Sequence, residues 1–143
     1  MKVAIGGDHA GYDLKEVLKK YLTKKGYEIL DKGPMSDERC DYADFGHLVA
    51  NSVEGGEVDF GLLMCGSGNG INMAANKHQS IRAALCWKPE IATLAKQHNK
   101  ANICTIPARF VSEAEAIDIL DAYLNAEYEG GRHQARIDKI PNK

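Results

Sequence analysis

The run VDFGLLMC at residues 58–65, followed directly by GSGNG at 66–70, decides the fold. The first part is the most apolar stretch of the chain. A short apolar run with little polar alternation suits a strand covered on both faces, as in a parallel sheet. The second part lets the backbone curl and opens a helix, expected over 71–76. Moving outward, the same strand–helix alternation continues in both directions. KVAIG at 2–6 is a β-rich run. Residues 12–25 follow with Leu14, Val17, Leu18, Tyr21 and Leu22 on one helical face, and Gly26 stops that helix after two lysines. A second strand is expected over 27–30, and the polar stretch 31–41, with Gly33, Pro34 and Ser36, is a loop. Residues 44–54 present Phe45, Leu48, Val49 and Val53 to one side before Gly55 and Gly56 end the helix.

Beyond the central run, IRAALC at 81–86 and NICTI at 102–106 are the fourth and fifth strands. Pro89 opens the helix between them, running through His98, with proline in the favoured first turn. Ser112, with Glu115 three residues on, is a capping box for a helix over 112–124. Residues 128–143 form a polar C-terminal tail with room for a short helix at its start. Five β-runs separated by helices, joined by right-handed crossovers, give an open doubly wound (Rossmann-like) α/β domain over residues 1–143. Its five-stranded parallel sheet carries helices on both faces.

Composition narrows the function. A chain of 143 residues is the size of one domain, and its 44% hydrophobic and 27% charged residues are ordinary for a globular protein. A formal net charge of −2 argues against a nucleic-acid binder and a polybasic membrane anchor. No apolar run approaches the ~20 residues of a membrane span, and the N-terminus lacks the pattern of a signal peptide. The expectation is a cytoplasmic protein. Four cysteines, Cys40, Cys65, Cys86 and Cys104, form no CxxC pair, which speaks against a zinc ribbon or a thioredoxin-type motif. Cys86 and Cys104 are expected as reduced, buried core residues.

In an open α/β sheet ligands lie outside the carboxyl ends of the strands. Three loops there carry chemistry: GGDHAG at 6–11, CGSGNG at 65–70, and Pro107-Ala108-Arg109. A glycine loop at a helix start can present N–H groups to an oxyanion or phosphate, though a tight turn alone explains it too. Cys65 ends the strand just before that helix, where the positive helix end favours a thiolate, so it is a candidate base or nucleophile. Ser67 could donate a hydrogen bond to the same bound group. Asp8 and His9 form a polar pair on the neighbouring loop, which turn chemistry would also accommodate. His98 and Asn99 end a helix, where both suit a C-terminal cap. Arg132 and Arg136 are four apart, so a helix would place both on one face suited to a phosphate, unless they are merely solvated.

With those residues in view, the chain resembles the B-type ribose-5-phosphate isomerases, a family that includes galactose-6-phosphate isomerase subunits. The matching stretches are GGDHAG (6–11), DKG (31–33), DYADF (41–45), CGSGNGINMAANK (65–77), IRAALC (81–86), QHNKAN (97–102) and YEGGRHQARI (128–137). The resemblance implies interconversion of ribose 5-phosphate and ribulose 5-phosphate through a cis-enediolate, with no metal or organic cofactor. It implies Cys65 as the base, and Ile71 stands where some members carry a glutamate. Gly66, Ser67, Gly68, Asn69 and Gly70 match the loop that holds the enediolate, and Ser67 is counted among the catalytic residues. His98 matches the ring-opening acid/base. Asp8, His9 and Asn99 match sugar-binding positions, while Arg109, Arg132 and Arg136 match ligand-binding arginines.

The implied partner is a small sugar phosphate, with no nucleic acid and no membrane. A six-carbon phosphate, of allose or galactose, is the close alternative substrate. A non-catalytic sugar-phosphate sensor would tolerate loss of Cys65 or His98, and both are present. A flavodoxin-like nucleotide binder would want aromatic loop residues, yet the only tryptophan is Trp87. Topology adds one expectation. Cys65, Asp8 and Arg109 follow strands, whereas His98 and Asn99 end a returning helix, so they sit at opposite sheet edges, ~17 Å apart for a five-residue strand. The site is therefore expected to be shared between chains of a homodimer or a dimer of dimers, with the chain supplying Arg132 and Arg136 left open.

Overall fold

The structure, a computed structural model, describes residues 1–142. Five strands, β1 (Lys2–Gly7), β2 (Glu28–Asp31), β3 (Phe60–Cys65), β4 (Ala83–Leu85) and β5 (Ile103–Pro107), form one sheet in the order β2-β1-β3-β5-β4. Every pairing is parallel. The helices are α1 (Tyr12–Lys24), α2 (Tyr42–Glu54), α3 (Asn69–Ala75), α4 (Pro89–Asn99), α5 (Glu113–Asn125) and α6 (Arg132–Ile137). The expected doubly wound α/β architecture is the one observed. No helix among the described residues is long and apolar enough to cross a membrane.

Strand alternation sorts side chains into two cores. Val3, Ile5, Leu62, Met64, Cys104 and Ile106 face α1, α4 and α5, while Ala4, Leu63, Cys65 and Ile103 face α2 and α3. β3 is buried along its whole length, as its composition requires. Cys86 and Cys104 are fully buried, as expected, and the neighbouring Cys86 thiol together with burial pushes the Cys104 thiol well above its ordinary range. Tyr123 is equally buried, and its hydroxyl donates to the Ala101 carbonyl at 2.7 Å.

Several boundaries differ from the sequence reading. α2 begins at Tyr42 rather than residue 44, because Asp41 in extended conformation is its N-cap. α3 begins at Asn69 rather than 71: Gly68 takes up φ +78° as N-cap, and the Ser67 hydroxyl accepts from the Asn69 N–H. A Cβ on Gly68 would meet only the movable end of Leu85, Cδ1 at 2.5 Å, so it is the positive φ that calls for glycine there. β4 shrinks to three residues at the sheet edge, and the tail helix starts at 132, after two glycines, instead of at 128. Lys143, the end of the expected tail, lies outside the described residues.

The caps follow expectation. Gly26 has positive φ, the Gly26 and Tyr27 N–H groups return to Thr23 and Leu22, and α1 closes in a Schellman turn. The Ser112–Glu115 capping box is formed on both sides. Less legible is Lys15, 1% exposed, whose ammonium meets Asp31 at 2.7 Å and Glu16 at 3.1 Å. Lys19 adds a second cation to the same two carboxylates. This cluster ties α1 to the end of β2, next to the strand-end loops.

Candidate active site

The residues expected at the carboxyl edge do converge there. Cys65 ends β3 with its thiol almost fully buried, on the α2/α3 side. The Asp8 N–H donates to the Met64 carbonyl at 3.3 Å, which fixes the GGDHAG loop beside the end of β3. Asp8 is itself buried, and its carboxylate accepts from the Gly11 N–H at 3.0 Å, a turn bond of the kind its position suggested. Gly11 starts α1 without any side-chain cap, and a Cβ there would collide with the Met64 carbonyl. His9 Nδ1 accepts from the Cys40 N–H at 3.3 Å, which leaves Nε2 to carry the proton. That contact brings the 31–41 loop over the edge.

β5 pairs with β3 so that Pro107 lies opposite Cys65. The chain then turns, with the Ala108 N–H bonded to the Cys65 carbonyl and the Arg109 N–H to the Gly66 carbonyl. The missing Cβ of Gly66 is 3.3 and 3.4 Å from Cδ and Nη1 of Arg109, so the guanidinium lies over the glycine loop. Ser67 and Asn69 are exposed beyond it. One strand-end surface thus gathers a thiol, a carboxylate, an imidazole, a hydroxyl, a guanidinium and the N–H groups of 66–70. It can bind an anion and move a proton.

His98 and Asn99 lie at the other edge. They complete α4, four residues before Ile103, and Ile103 pairs with Gly61 at the amino end of β3. Their side chains are not needed as caps. Arg82 donates to the carbonyls of Asn99 and Lys100, and Lys100 takes the left-handed conformation. The tail folds onto this helix end, where the Glu129 N–H bonds to the Gln97 carbonyl at 3.0 Å. The His133 ring stacks on His98 with centroids 4.4 Å apart and planes at 17°. α6 therefore carries Arg132 and Arg136, both exposed and one turn apart, at the His98 edge.

The expected residues thus form two clusters, Asp8, His9, Cys65–Gly70 and Arg109 on one edge, and His98, Asn99, Arg132 and Arg136 on the other. A cleft of about 300 Å³ opens at the second edge between His78, Arg82 and Ile140. Of the residues expected in the site, only Asn99 lines it. Sequence reasoning missed Arg82, Glu129 and His133. The adjacency of His133 to Arg132 was the available signal for the last.

A family model described as Ribose/Galactose Isomerase matches residues 3–140. The chain belongs to this family. It is 48% identical over 139 residues to ribose-5-phosphate isomerase B of Escherichia coli, covering 97% of this chain and 93% of the relative. The crystal structure of a ribose 5-phosphate isomerase from Thermotoga maritima superposes with a TM-score of 0.96 at 46% identity, covering 98% of this chain and 97% of that one. Ribose-5-phosphate isomerase B from Mycoplasma genitalium, solved with bound ribulose-5-phosphate, matches at TM-score 0.92 and 44% identity, covering 97% and 93%. This family member is an isomerase, and its fold and nearly its whole length are shared with these relatives.

Proposed function

We propose that this chain interconverts ribose 5-phosphate and ribulose 5-phosphate in the cytoplasm, without a resident cofactor, through a cis-enediolate. The observation that carries the proposal is the strand-end cluster around Cys65, in a chain 44% identical to a relative solved with ribulose-5-phosphate. In the proposed reaction His98 exchanges protons with the furanose ring oxygen and opens the sugar. Cys65, as thiolate, removes the C2 proton of the open-chain aldose, and the electron pair moves into the C1–C2 bond and onto O1. The same thiol returns the proton to C1 while the O2 hydroxyl proton passes to O1, which yields the ketose with protons balanced. Ser67 and the N–H groups of 66–70 stabilise the enediolate, where fixed donors lower a barrier most.

Asp8, His9 and Asn99 hold sugar hydroxyls, and Arg109, Arg132 and Arg136 hold the phosphate, a dianion that guanidiniums bind in bidentate fashion. The separation of the two clusters supports a site shared across a homodimer, or a dimer of dimers, with His98, Asn99, Arg132 and Arg136 from the partner. Four free thiols fit a reducing compartment.

Side-by-side turnover of ribose 5-phosphate, allose 6-phosphate and galactose 6-phosphate tests the assignment. The expected result is the largest kcat/KM on the five-carbon sugar. A preference for either six-carbon phosphate would move the assignment to that substrate, and binding without turnover of any of the three would make the protein a sensor.

A further inference from the structure

We propose that Glu129 and His133 are positioning residues for His98, holding its ring for the ring-opening proton transfer; this rests on the ring-opening role proposed for His98. His98 sits in the last turn of α4 and is 38% exposed, so on its own the ring would sample several rotamers. Two features restrict it. The buried His133 ring lies flat against it, with centroids 4.4 Å apart. The Glu129 carboxylate Oε1 stands 3.6 Å from Nε2 of His98 and 3.5 Å from Nε2 of His133. A rotation of His98 away from this arrangement would lose the stacked face and the carboxylate together.

The chain around this pair is shaped to deliver it. Gly130 and Gly131 have φ of +70° and +60°, which reverse the tail so that α6 returns against α4. Glu129 is fixed by its own N–H on the Gln97 carbonyl, one residue before His98. Across the turn the Tyr128 hydroxyl donates to Gln134 at 2.9 Å, and Gln134 donates to Asp138 at 2.8 Å.

His133 Nε2 is buried without a hydrogen bond, with Glu129 Oε1 3.5 Å away. Such a group costs stability that an apolar side chain would not, so its place is better explained by what it does to His98 than by packing. The ligand atoms of the three residues lie within 4.8 Å of one another, which invites a metal reading. Nearly parallel rings, however, send their in-plane lone pairs side by side. A tetrahedral ion needs them to converge on one point ~2.0–2.1 Å from each nitrogen.

Two assays separate positioning from general damage. Ring opening is read in a Cys65→Ala background as exchange between the anomers of ribose 5-phosphate labelled with carbon-13 at C1, by NMR. Proton abstraction is read with Cys65 intact, as deuterium uptake at C1 of ribulose 5-phosphate. Glu129→Gln and His133→Ala should each slow anomer exchange by about tenfold and leave deuterium uptake within about twofold, the scale of a modest misplacement. His133→Phe keeps a flat ring and should recover most of the anomer exchange.

Equal losses in both assays, or no loss of anomer exchange, would overturn the proposal, and failure of phenylalanine to recover exchange would overturn stacking as the positioning contact. Glu129 is 46% exposed, so Glu129→Gln keeps the test decisive where a His133 variant does not fold. His98→Asn is the control for the underlying role. If it leaves anomer exchange untouched, the ring-opening role itself fails, which is distinguishable from loss of exchange in His98→Asn alone.

Discussion

Mixing two dead variants should regenerate activity. In one chain Cys65 is replaced by alanine and in the other His98 by asparagine. The magnitude follows from the sheet register. Gly61 pairs with Ile103 and Cys65 with Pro107, so four residues of parallel strand, ~13 Å at ~3.3 Å each, separate the Cys65 end from the start of β5. His98 lies further back still, at the end of α4. A five-carbon phosphate would have to bridge that gap while both groups stay within reacting distance, ~3–3.5 Å, which is the reason for the proposal that two chains supply them. In the proposed two-fold dimer each site would take Cys65 from one chain and His98 from the other. Equimolar exchange makes about half the dimers mixed, and each mixed dimer holds one intact and one doubly disabled site. About a quarter of wild-type turnover should therefore return. Differently tagged variants, subunit exchange followed by native mass spectrometry, and a ribose 5-phosphate assay before and after provide the measurement. No recovery once mixed dimers are seen would mean that each chain builds its own site, and the edge-to-edge reasoning would be wrong.

Cys65→Ala should abolish turnover while calorimetric binding of ribose 5-phosphate stays within about tenfold, ~1.4 kcal/mol; substantial remaining turnover would remove Cys65 as the base. Asp31→Asn should cost about 3 kcal/mol in urea unfolding, because it takes the closest partner from a buried ammonium, with Glu16 left to offset part of the loss. Burial raises the Asp31 carboxyl, but hydrogen bonds from Lys15, Lys19 and the Gly33 N–H outweigh it and leave it lowered. Its stabilising contribution is thus present above the ordinary aspartate range and lost as pH falls through the lowered value, so the gap between wild type and variant should close in acid. Gly68→Ala should cost about 1–3 kcal/mol and reduce turnover, since its left-handed φ opposes a Cβ and Leu85 Cδ1 would have to shift; unchanged melting would contradict the strain assigned there. EDTA should leave turnover unchanged, and a loss restored by added metal would overturn the cofactor-free mechanism.

The order of strands and helices was legible from residue types alone, because it depends on local periodicity and on punctuation by Gly26, Gly55, Pro89 and the Ser112–Glu115 pair. The loops at the carboxyl edge were legible for the same reason: a parallel sheet sends every strand end to one side, so Cys65, Asp8 and Arg109 had to share it. Errors fell at element ends, where backbone geometry that apolar periodicity does not report sets the boundary, as at the start of α3, where Ser67 and a left-handed Gly68 begin the helix two residues early.

Only the folded chain decided the strand order β2-β1-β3-β5-β4, the burial of Lys15 beneath Asp31, and the return of the tail onto α4. These rest on contacts between residues far apart in sequence, whose partners no local pattern names. The side occupied by Arg132 and Arg136 belongs with them. The reversal at Gly130 and Gly131, the Glu129–Gln97 bond and the His133–His98 stack put α6 at the amino edge, whereas the sequence by itself left the tail free to go either way.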